Sequence, residues 1–134
     1  MRLTDPTADM LEVLAQPLVA TLGTEGPHGP HLAPIWFEYT DGSLLVVTPE
    51  GSQKAVNITR SPRVGFSVND ERGRTVMING VASFEPMLGT AALARIAIHY
   101  RGPDSGKRYV EARSPDARSV VVTITPERWM TYGM

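Results

Sequence analysis

The chain has 134 residues, 42% of them hydrophobic and 20% charged, a composition typical of one globular domain with one core. The formal net charge of −1 gives no electrostatic reason to expect nucleic acid or an anionic membrane as a partner. The absence of cysteine excludes disulfides, thiolate metal sites and cysteine nucleophiles, and makes the cytoplasm the expected location. We expect no membrane span, because no apolar run approaches the required ~18 residues, and no signal peptide, because the N-terminus lacks an apolar core.

The first half of the chain predicts one helix followed by three strands. Asp5 and Pro6 form an N-cap and first-turn pair, and Pro17 ends the helix that they begin. Asp41-Gly42 is the strongest hairpin signal in the chain. The predicted order is helix 6–15, strand 18–22, turn 23–30, strand 31–39 and strand 43–48.

The second half of the chain predicts three more strands around a second long helix. Gly80 lies inside the fifth strand and predicts a bulge or a close approach of the backbone. Gly102-Pro103 ends the helix. After the short helix that follows Ser52, the predicted order is strand 63–68, turn 69–73, strand 74–84, a break at 86–89, helix 90–100, a polar loop 104–116 with a helical turn near Tyr109, strand 119–125 and a terminal segment 126–132.

These elements predict a mainly β (α+β) protein, with six antiparallel strands closed into a small barrel and short flanking helices. The strands are joined mostly by hairpins and do not alternate with helices, which argues against a parallel α/β sheet. No internal repeat and no change in composition marks a boundary, so we expect a single domain over residues 1–134.

Residues 46–62 form the stretch where we expect the chemistry to lie. Strand 43–48 ends at Pro49, Gly51 allows a turn, and Ser52 is placed to cap a helix that must stop before Pro62. The start of such a helix carries unpaired N–H groups and the positive end of the helix dipole, and Lys54 adds a full charge there. The stretch therefore predicts an anion site, most simply for a phosphate. The alternative is an ordinary capped turn whose lysine points into water, and the stretch is not a Walker loop.

The other candidate groups each leave two interpretations open. The three histidines lack the spacing of a metal site, so we expect no metal. Aromatic residues in strand 31–39 indicate either a stacking surface for a planar ring or a core. The arginines near Lys54 indicate either a patch for a polyanionic cofactor tail or a solvated face. The triplet at 99–101 indicates either a proton donor or basic residues placed favourably at a helix end. The aromatic residues are Trp36, Phe37 and Tyr39, the arginines are Arg60, Arg63, Arg72 and Arg74, and the triplet is His99, Tyr100 and Arg101.

Seven segments spread over nearly the whole chain carry a family resemblance. They are LVATL at 18–22, GPHLAPIWF at 29–37, GSQKAVN at 51–57, RSPRV at 60–64, YRGP at 100–103, YV at 109–110 and VTITPERW at 122–129. In this order they resemble the pyridoxamine phosphate oxidase-like split β-barrel superfamily, and within it the actinobacterial class that uses the deazaflavin coenzyme F420. Segment 51–57 is particularly similar to the biliverdin reductases of that class, whereas segment 34–37 departs from them.

The resemblance implies a homodimer with a cofactor in each of two clefts at the subunit interface. The cofactor phosphate would lie at the turn between residues 48 and 54, and the ring would lie against the strand that follows residue 30. The cofactor-binding residues that it implies are His31, Leu32, Ala33, Pro34, Ile35, Trp36, Val47, Thr48, Gly51, Ser52, Gln53, Lys54, Asn57, Arg60 and Met77.

The resemblance also implies the activity. It is hydride transfer from reduced F420 to a conjugated acceptor, such as a biliverdin-like tetrapyrrole, a quinone or an enone. No side chain is assigned as catalytic, because the cofactor carries the chemistry and the protein positions it. Two alternatives remain: an FMN-binding oxidoreductase of the same fold, since Ser52-Gln53-Lys54 supplies the Ser-x-Lys pair of the FMN members, and a non-catalytic carrier of cofactor or haem, or a redox sensor.

Overall fold

The structure, a computed structural model, describes residues 5–113 and 117–134. The end of the predicted loop, residues 114–116, lies outside the described residues. Seven strands and four helices follow one another in the order α1 (Ala8–Leu14), β1 (Ala20–Gly26), β2 (Gly29–Ile35), β3 (Glu38–Thr40), β4 (Ser43–Pro49), α2 (Gln53–Arg60), β5 (Arg63–Asn69), β6 (Thr75–Leu88), α3 (Thr90–Arg101), α4 (Pro103–Glu111) and β7 (Ser119–Tyr132).

The strands form one antiparallel sheet in the order β2-β1-β5-β6-β7-β4-β3. The predicted antiparallel split barrel with short flanking helices is therefore confirmed. The number of strands is seven rather than six, because Trp36 and Phe37 leave the ladder and divide predicted strand 31–39 into β2 and β3. The two residues between β2 and β3 are as β-prone as those of the strands, so the sequence pattern does not show that the strand is divided.

The core lies inside the curved sheet and is closed by α1. Alternate residues of each strand point inward, among them Leu22, Phe66, Ile78 and Ile124. Helix α1 adds Met10, Val13 and Leu14 to this core. Its N-cap is Thr7, whose hydroxyl accepts a hydrogen bond from the N–H of Met10, and not the predicted Asp5, because Thr7 directly precedes the first apolar turn.

The hairpin between β1 and β2 is longer than predicted. The segment predicted as a turn, 23–30, is mostly strand: β1 continues to Gly26, β2 begins at Gly29, and these two residues are paired. Only two residues make the connection, and Gly29 takes a positive φ of 120° that glycine adopts without strain. The glycines and prolines of this segment predicted a turn. The two strands nevertheless pair there, because the ladder is formed by backbone hydrogen bonds, which do not depend on the side chains.

Strands β6 and β7 also run further than predicted, to Leu88 and to Tyr132. Their ladder shifts register at Asn79/Gly80, so that Gly80 pairs with Pro126 and Asn79 pairs with Arg128. The irregularity allows Pro126, which has no N–H, to lie within a long strand. Gly80 is a close-approach position, as predicted, because a Cβ there would lie 2.5 Å from the carbonyl oxygen of Thr125.

Helix α4 replaces most of the predicted loop 104–116. Gly102 turns the chain with a φ of 86°, and Pro103 occupies the first turn of the new helix. Gly106 packs directly on α3, since a Cβ there would lie 2.6 Å from the Cα of Ile98. The segment is polar and contains glycine, so its own composition does not indicate a helix, and the contact with α3 decides its conformation.

Candidate cofactor site

The turn between β4 and α2 has the geometry that the sequence predicts. Ser52 is the N-cap of α2, and its hydroxyl accepts a hydrogen bond from the N–H of Ala55 at 3.3 Å. The hydroxyl of buried Thr48 lies 2.8 Å from the same oxygen. Gly51 has a φ of 77°, which permits the tight approach of the chain to the helix. The turn is therefore fixed by local hydrogen bonds before any ligand binds.

The first turn of α2 leaves hydrogen-bond donors available to an anion. The N–H groups of Gln53 and Lys54, at the first two helical positions, have no acceptor within the helix. No acidic residue lies in this turn, and Lys54 is half-buried. Glu50 precedes the turn but is exposed, and its N–H donates to the carbonyl of Arg118. Backbone donors, the helix dipole and one ammonium group together suit a phosphate.

Asn57 is a buried link between α2 and β1. Its side-chain amide donates to the hydroxyl of Thr24 at 3.0 Å and its oxygen accepts from Gln53 at 2.7 Å. The residue is fully buried, so it positions the helix start and the hairpin relative to each other. His31 is paired with Thr24 on the same hairpin, and its Nδ1 is buried without a hydrogen-bond partner among the described residues.

The predicted ring-lining residues of β2 lie on two faces of the sheet. His31, Ala33 and Ile35 are paired with inward-facing residues of β1, whereas Leu32 and Pro34 point outward. Met77 shares the outer face, because the register runs from Pro34 through Thr21 and Ser67 to Met77. With strands ~4.8 Å apart, Met77 lies about 14 Å from Pro34.

Arg60 is separated from the predicted phosphate site at the start of α2 by the length of the helix. It lies seven residues after Gln53, about 10 Å along the axis, and it is exposed. Three other arginines of the predicted patch are paired with carboxylates: Arg63 with Glu127, Arg72 with Glu12, and Arg74 with both Asp70 and Glu12. The patch around Lys54 is therefore largely neutralised within the chain.

A cleft under α3 and α4 brings the two predicted halves of the site together. A larger part of about 650 Å³ is bordered by Val47 and Thr48, and a smaller part of about 270 Å³ is bordered by Pro34, Ile35 and Trp36. The two parts share three lining residues, which are Val47, Leu93 and Tyr109. The ends of β2 and β4 thus border two neighbouring cavities, which together are called the groove; Ser52, Gln53 and Lys54 are not among its lining residues.

Trp36 forms one wall of this groove. Its ring stacks on Tyr100 with centroids 4.8 Å apart and an angle of 11°, and Tyr109 lies 5.3 Å away at a tilt. The Tyr100 hydroxyl donates to the carbonyl of Leu18 at 2.7 Å and accepts from the N–H of Phe37 at 3.1 Å. Burial raises the pKa of Tyr100 to about 12, so the phenol is protonated near neutral pH, and its two hydrogen bonds tie α3 to the barrel. Phe37 itself is a core residue.

Three arginines line the groove: sequence reasoning considered Arg101 only as part of the 99–101 triplet, and it missed Arg108 and Arg113. Two of them belong to the segment predicted as a loop, whose spacing has meaning only once α4 is known. A helical spacing of seven residues from Arg101 to Arg108, interrupted by Gly102-Pro103, is the one sequence signal that could have drawn attention to them.

The family assignment rests on the whole length of the chain. Residues 6–133 match the model of the family described as pyridoxamine 5'-phosphate oxidase. The chain belongs to this family. No curated protein matches the sequence.

Solved structures similar to this member of the family include one that is described as a reductase. A protein described as an F420 reductase has 25% identity and a TM-score of 0.76, over 89% of this chain and 94% of that one. The conserved hypothetical protein Rv2991 of Mycobacterium tuberculosis has 33% identity and a TM-score of 0.73, over 95% and 84%. An FAD-binding protein of Mesorhizobium loti, at 20% identity and a TM-score of 0.68 over 98% and 96%, shows the fold alone.

The residues at the β4–α2 turn fit the phosphate-bearing redox cofactors of this family. Two N–H groups without an acceptor inside the helix, the half-buried residue Lys54 and the absence of acid in the first helical turn suit a phosphate. Over the described residues, no group of three or more His, Cys, Asp or Glu side chains is arranged to hold a metal. In the same residues, no helix has both the length and the apolar character needed to cross a membrane.

Proposed function

We propose that this protein is an F420-dependent oxidoreductase that reduces a conjugated organic acceptor. The observation that carries the proposal is the β4–α2 turn, where the helix start leaves the N–H groups of Gln53 and Lys54 without a helical acceptor and Ser52 is hydrogen-bonded to Thr48 at the edge of the groove. A phosphate at Ser52 to Lys54 and a planar ring near Pro34 would then be parts of one ligand. The likeness to an F420 reductase at 25% identity favours F420 over other cofactors.

The residues of the chain would bind the cofactor, orient its ring and shield the reacting atoms from water. The N–H groups of Gln53 and Lys54, with the Lys54 ammonium, would hold the phosphate, and the backbone of residues 31–34 would position the ring. Val47, Leu93 and Ile96 line the groove with apolar surface, which excludes water from the reacting atoms. When bound, reduced F420 supplies the hydride, and the protein contributes proximity and orientation.

We propose that the active form is a homodimer joined through the outer face of the sheet. Leu32 and Tyr132 are 69% and 74% exposed on this face. A groove of about 520 Å³ also lies on this sheet, and its lining residues all come from strands, with Gly23 and Gly65 among them. Gly23 and Gly65, paired on adjacent strands, leave room for a second copy to approach closely, and burial of the exposed Leu32 and Tyr132 would favour association.

FMN is the alternative cofactor, because the Ser52-Gln53-Lys54 arrangement would hold the phosphate of either molecule. The deciding experiment is a parallel fluorescence titration of purified protein with F420 and with FMN. We expect tighter binding of F420, and we expect Lys54→Ala to weaken it by about tenfold, which equals ~1.4 kcal/mol for one charge-assisted phosphate contact.

Lys107→Ala is the matched control, because the chain has only two lysines and Lys107 is exposed on α4. Unchanged affinity in Lys54→Ala would contradict the assigned phosphate site. Preferential binding of FMN would make the protein a flavoprotein. Binding of F420 without turnover of tetrapyrrole, quinone or enone acceptors would favour the carrier or sensor role.

A further inference from the structure

The larger part of the groove is lined by three arginines. Arg101 ends α3, Arg108 lies in the last turn of α4, and Arg113 follows that helix. Among the described lining residues none is acidic, and the remainder are apolar or carry hydroxyl groups. Three like charges on one cleft of a protein whose net charge is −1 are an unusual concentration.

Two of the guanidinium groups are held in place by contacts within the chain. The Arg101 guanidinium carbon lies 4.7 Å from the ring centroid of Tyr109 and 5.5 Å from that of Trp36, within the range of cation–π attraction. Arg113 donates from Nη2 to the hydroxyl of Ser119 at 3.0 Å. For none of the three is a carboxylate found within 4.0 Å in residues 5–113 and 117–134, whereas Arg63, Arg72, Arg74 and Arg95 all have one.

The helix ends nearby do not neutralise this charge. Arg101 and Arg108 lie at the C-terminal ends of their helices, where the dipole is equivalent to about half a negative charge each. Three full positive charges against two such partial charges leave the cleft positive by about two units. Guanidinium groups in this setting bind carboxylates with paired, charge-assisted hydrogen bonds.

The smaller part of the same groove is apolar. Val19, Pro34, Ile96 and Leu93 line it, and it ends at the strand against which the cofactor ring would lie. A ligand that fits both parts has an apolar, planar body toward Pro34 and acidic groups toward Arg108.

We propose that the arginine cleft binds the carboxylate groups of the electron acceptor, so that the substrate class is an acidic conjugated molecule rather than a neutral quinone or enone. This inference rests on the function proposed above. It adds that the acceptor is recognised by its charge at Arg108 and Arg113, while its reducible part lies in the apolar end of the groove.

The test compares an acidic ligand with its neutral ester in protein without cofactor. Biliverdin carries two carboxylates, and its dimethyl ester keeps the ring system without the charges. We expect biliverdin to bind at least about tenfold more tightly than the ester, equivalent to ~1.4 kcal/mol. Arg108→Gln combined with Arg113→Gln should remove this difference, and Arg108→Lys with Arg113→Lys should restore part of it.

Lys107→Ala is again the control, since it removes a positive charge from the same helix outside the cleft. Affinity for both ligands should be unchanged in this variant. Equal affinity of wild-type protein for acid and ester, or loss of biliverdin binding in Lys107→Ala as large as in the double variant, would overturn the proposal.

The cofactor's glutamate tail is a second source of carboxylates, and titration with F420 distinguishes it. If the double variant binds F420 as wild type does, the cleft serves the acceptor, as proposed. If the double variant binds F420 more weakly than wild type but still prefers biliverdin to its ester, the assignment of the cleft to the acceptor is wrong. Arginine-dependent binding of biliverdin in a protein that does not bind F420 would uphold the carboxylate site and contradict only the proposed cofactor.

Discussion

Asp70 is a buried carboxylate at the turn between β5 and β6. One carboxylate oxygen accepts from the N–H groups of Arg72 and Arg74 at 3.0 Å each, and the other lies 2.7 Å from Arg74 Nη2. Burial alone would raise its pKa, but the hydrogen bonds from Arg74 and Gln16 outweigh burial and lower the pKa of Asp70 to about 2. The residue joins the β5–β6 turn to α1 through Gln16.

This environment predicts a defined loss of stability in acid. Because the folded-state pKa lies below the unfolded value of ~3.9, ionised Asp70 stabilises the fold above that value and ceases to do so as the pH falls from about 4 to about 2. We expect Asp70→Asn to unfold at lower urea concentration than wild type at about pH 7, with the difference shrinking toward about pH 2.

Glu71→Gln controls for the removal of a carboxylate, because Glu71 is exposed in the same turn. Its urea midpoint should follow that of wild type throughout. A difference between Asp70→Asn and wild type that does not change with pH would show that Asp70 contributes no pH-linked stability.

At the scale of elements, the contact between α3 and α4 builds the arginine cleft. Gly106 allows the two helices to touch at the backbone, and Tyr109 and Arg101 meet across their junction at 4.7 Å. At a solvent-exposed position inside a helix, replacing glycine by alanine stabilises the protein by about 1 kcal/mol. At Gly106 the added methyl group has no space, so the sign of the effect reverses.

We therefore expect Gly106→Ala to lower the free energy of unfolding by about 1–3 kcal/mol, the usual cost of overpacking. Urea denaturation measures this change, and fluorescence of Trp36 reports whether the groove wall has moved. Glu111→Ala, at an exposed position near the end of the same helix, should differ little from wild type. A Gly106→Ala protein as stable as wild type would show that α4 is not packed on α3 in this way.

At the scale of the molecule, the outer face of the sheet is the proposed dimer interface. Leu32 is 69% exposed, and its side chain lies against Gly23 on the next strand. Leu32→Arg would place a charge in the centre of the interface, so we expect the mass in sedimentation velocity to fall from twice 14.6 kDa to 14.6 kDa. Leu11→Arg changes an exposed leucine on α1 and should leave the dimer intact. A wild-type protein that is monomeric would contradict the proposal.

The amino-acid sequence by itself determined the local features of this protein. Alternating strands, the Asp41-Gly42 hairpin, the close approach at Gly80 and the Ser52 cap follow from backbone preferences and side chains within a few residues, and the structure contains all four. Its resemblance to a family also indicated the fold, which the family assignment confirms.

Only the tertiary structure decided what depends on distant contacts. The groove unites Pro34 with Val47 because the barrel closes the ends of β2 and β4 around α3. Helix α4 exists because Gly106 packs on Ile98, and with it come Arg108 and Arg113. These features arise from packing between residues far apart in the chain, which local propensity does not encode, so the fold and the geometry of the Ser52 turn could be predicted and the arginine cleft could not.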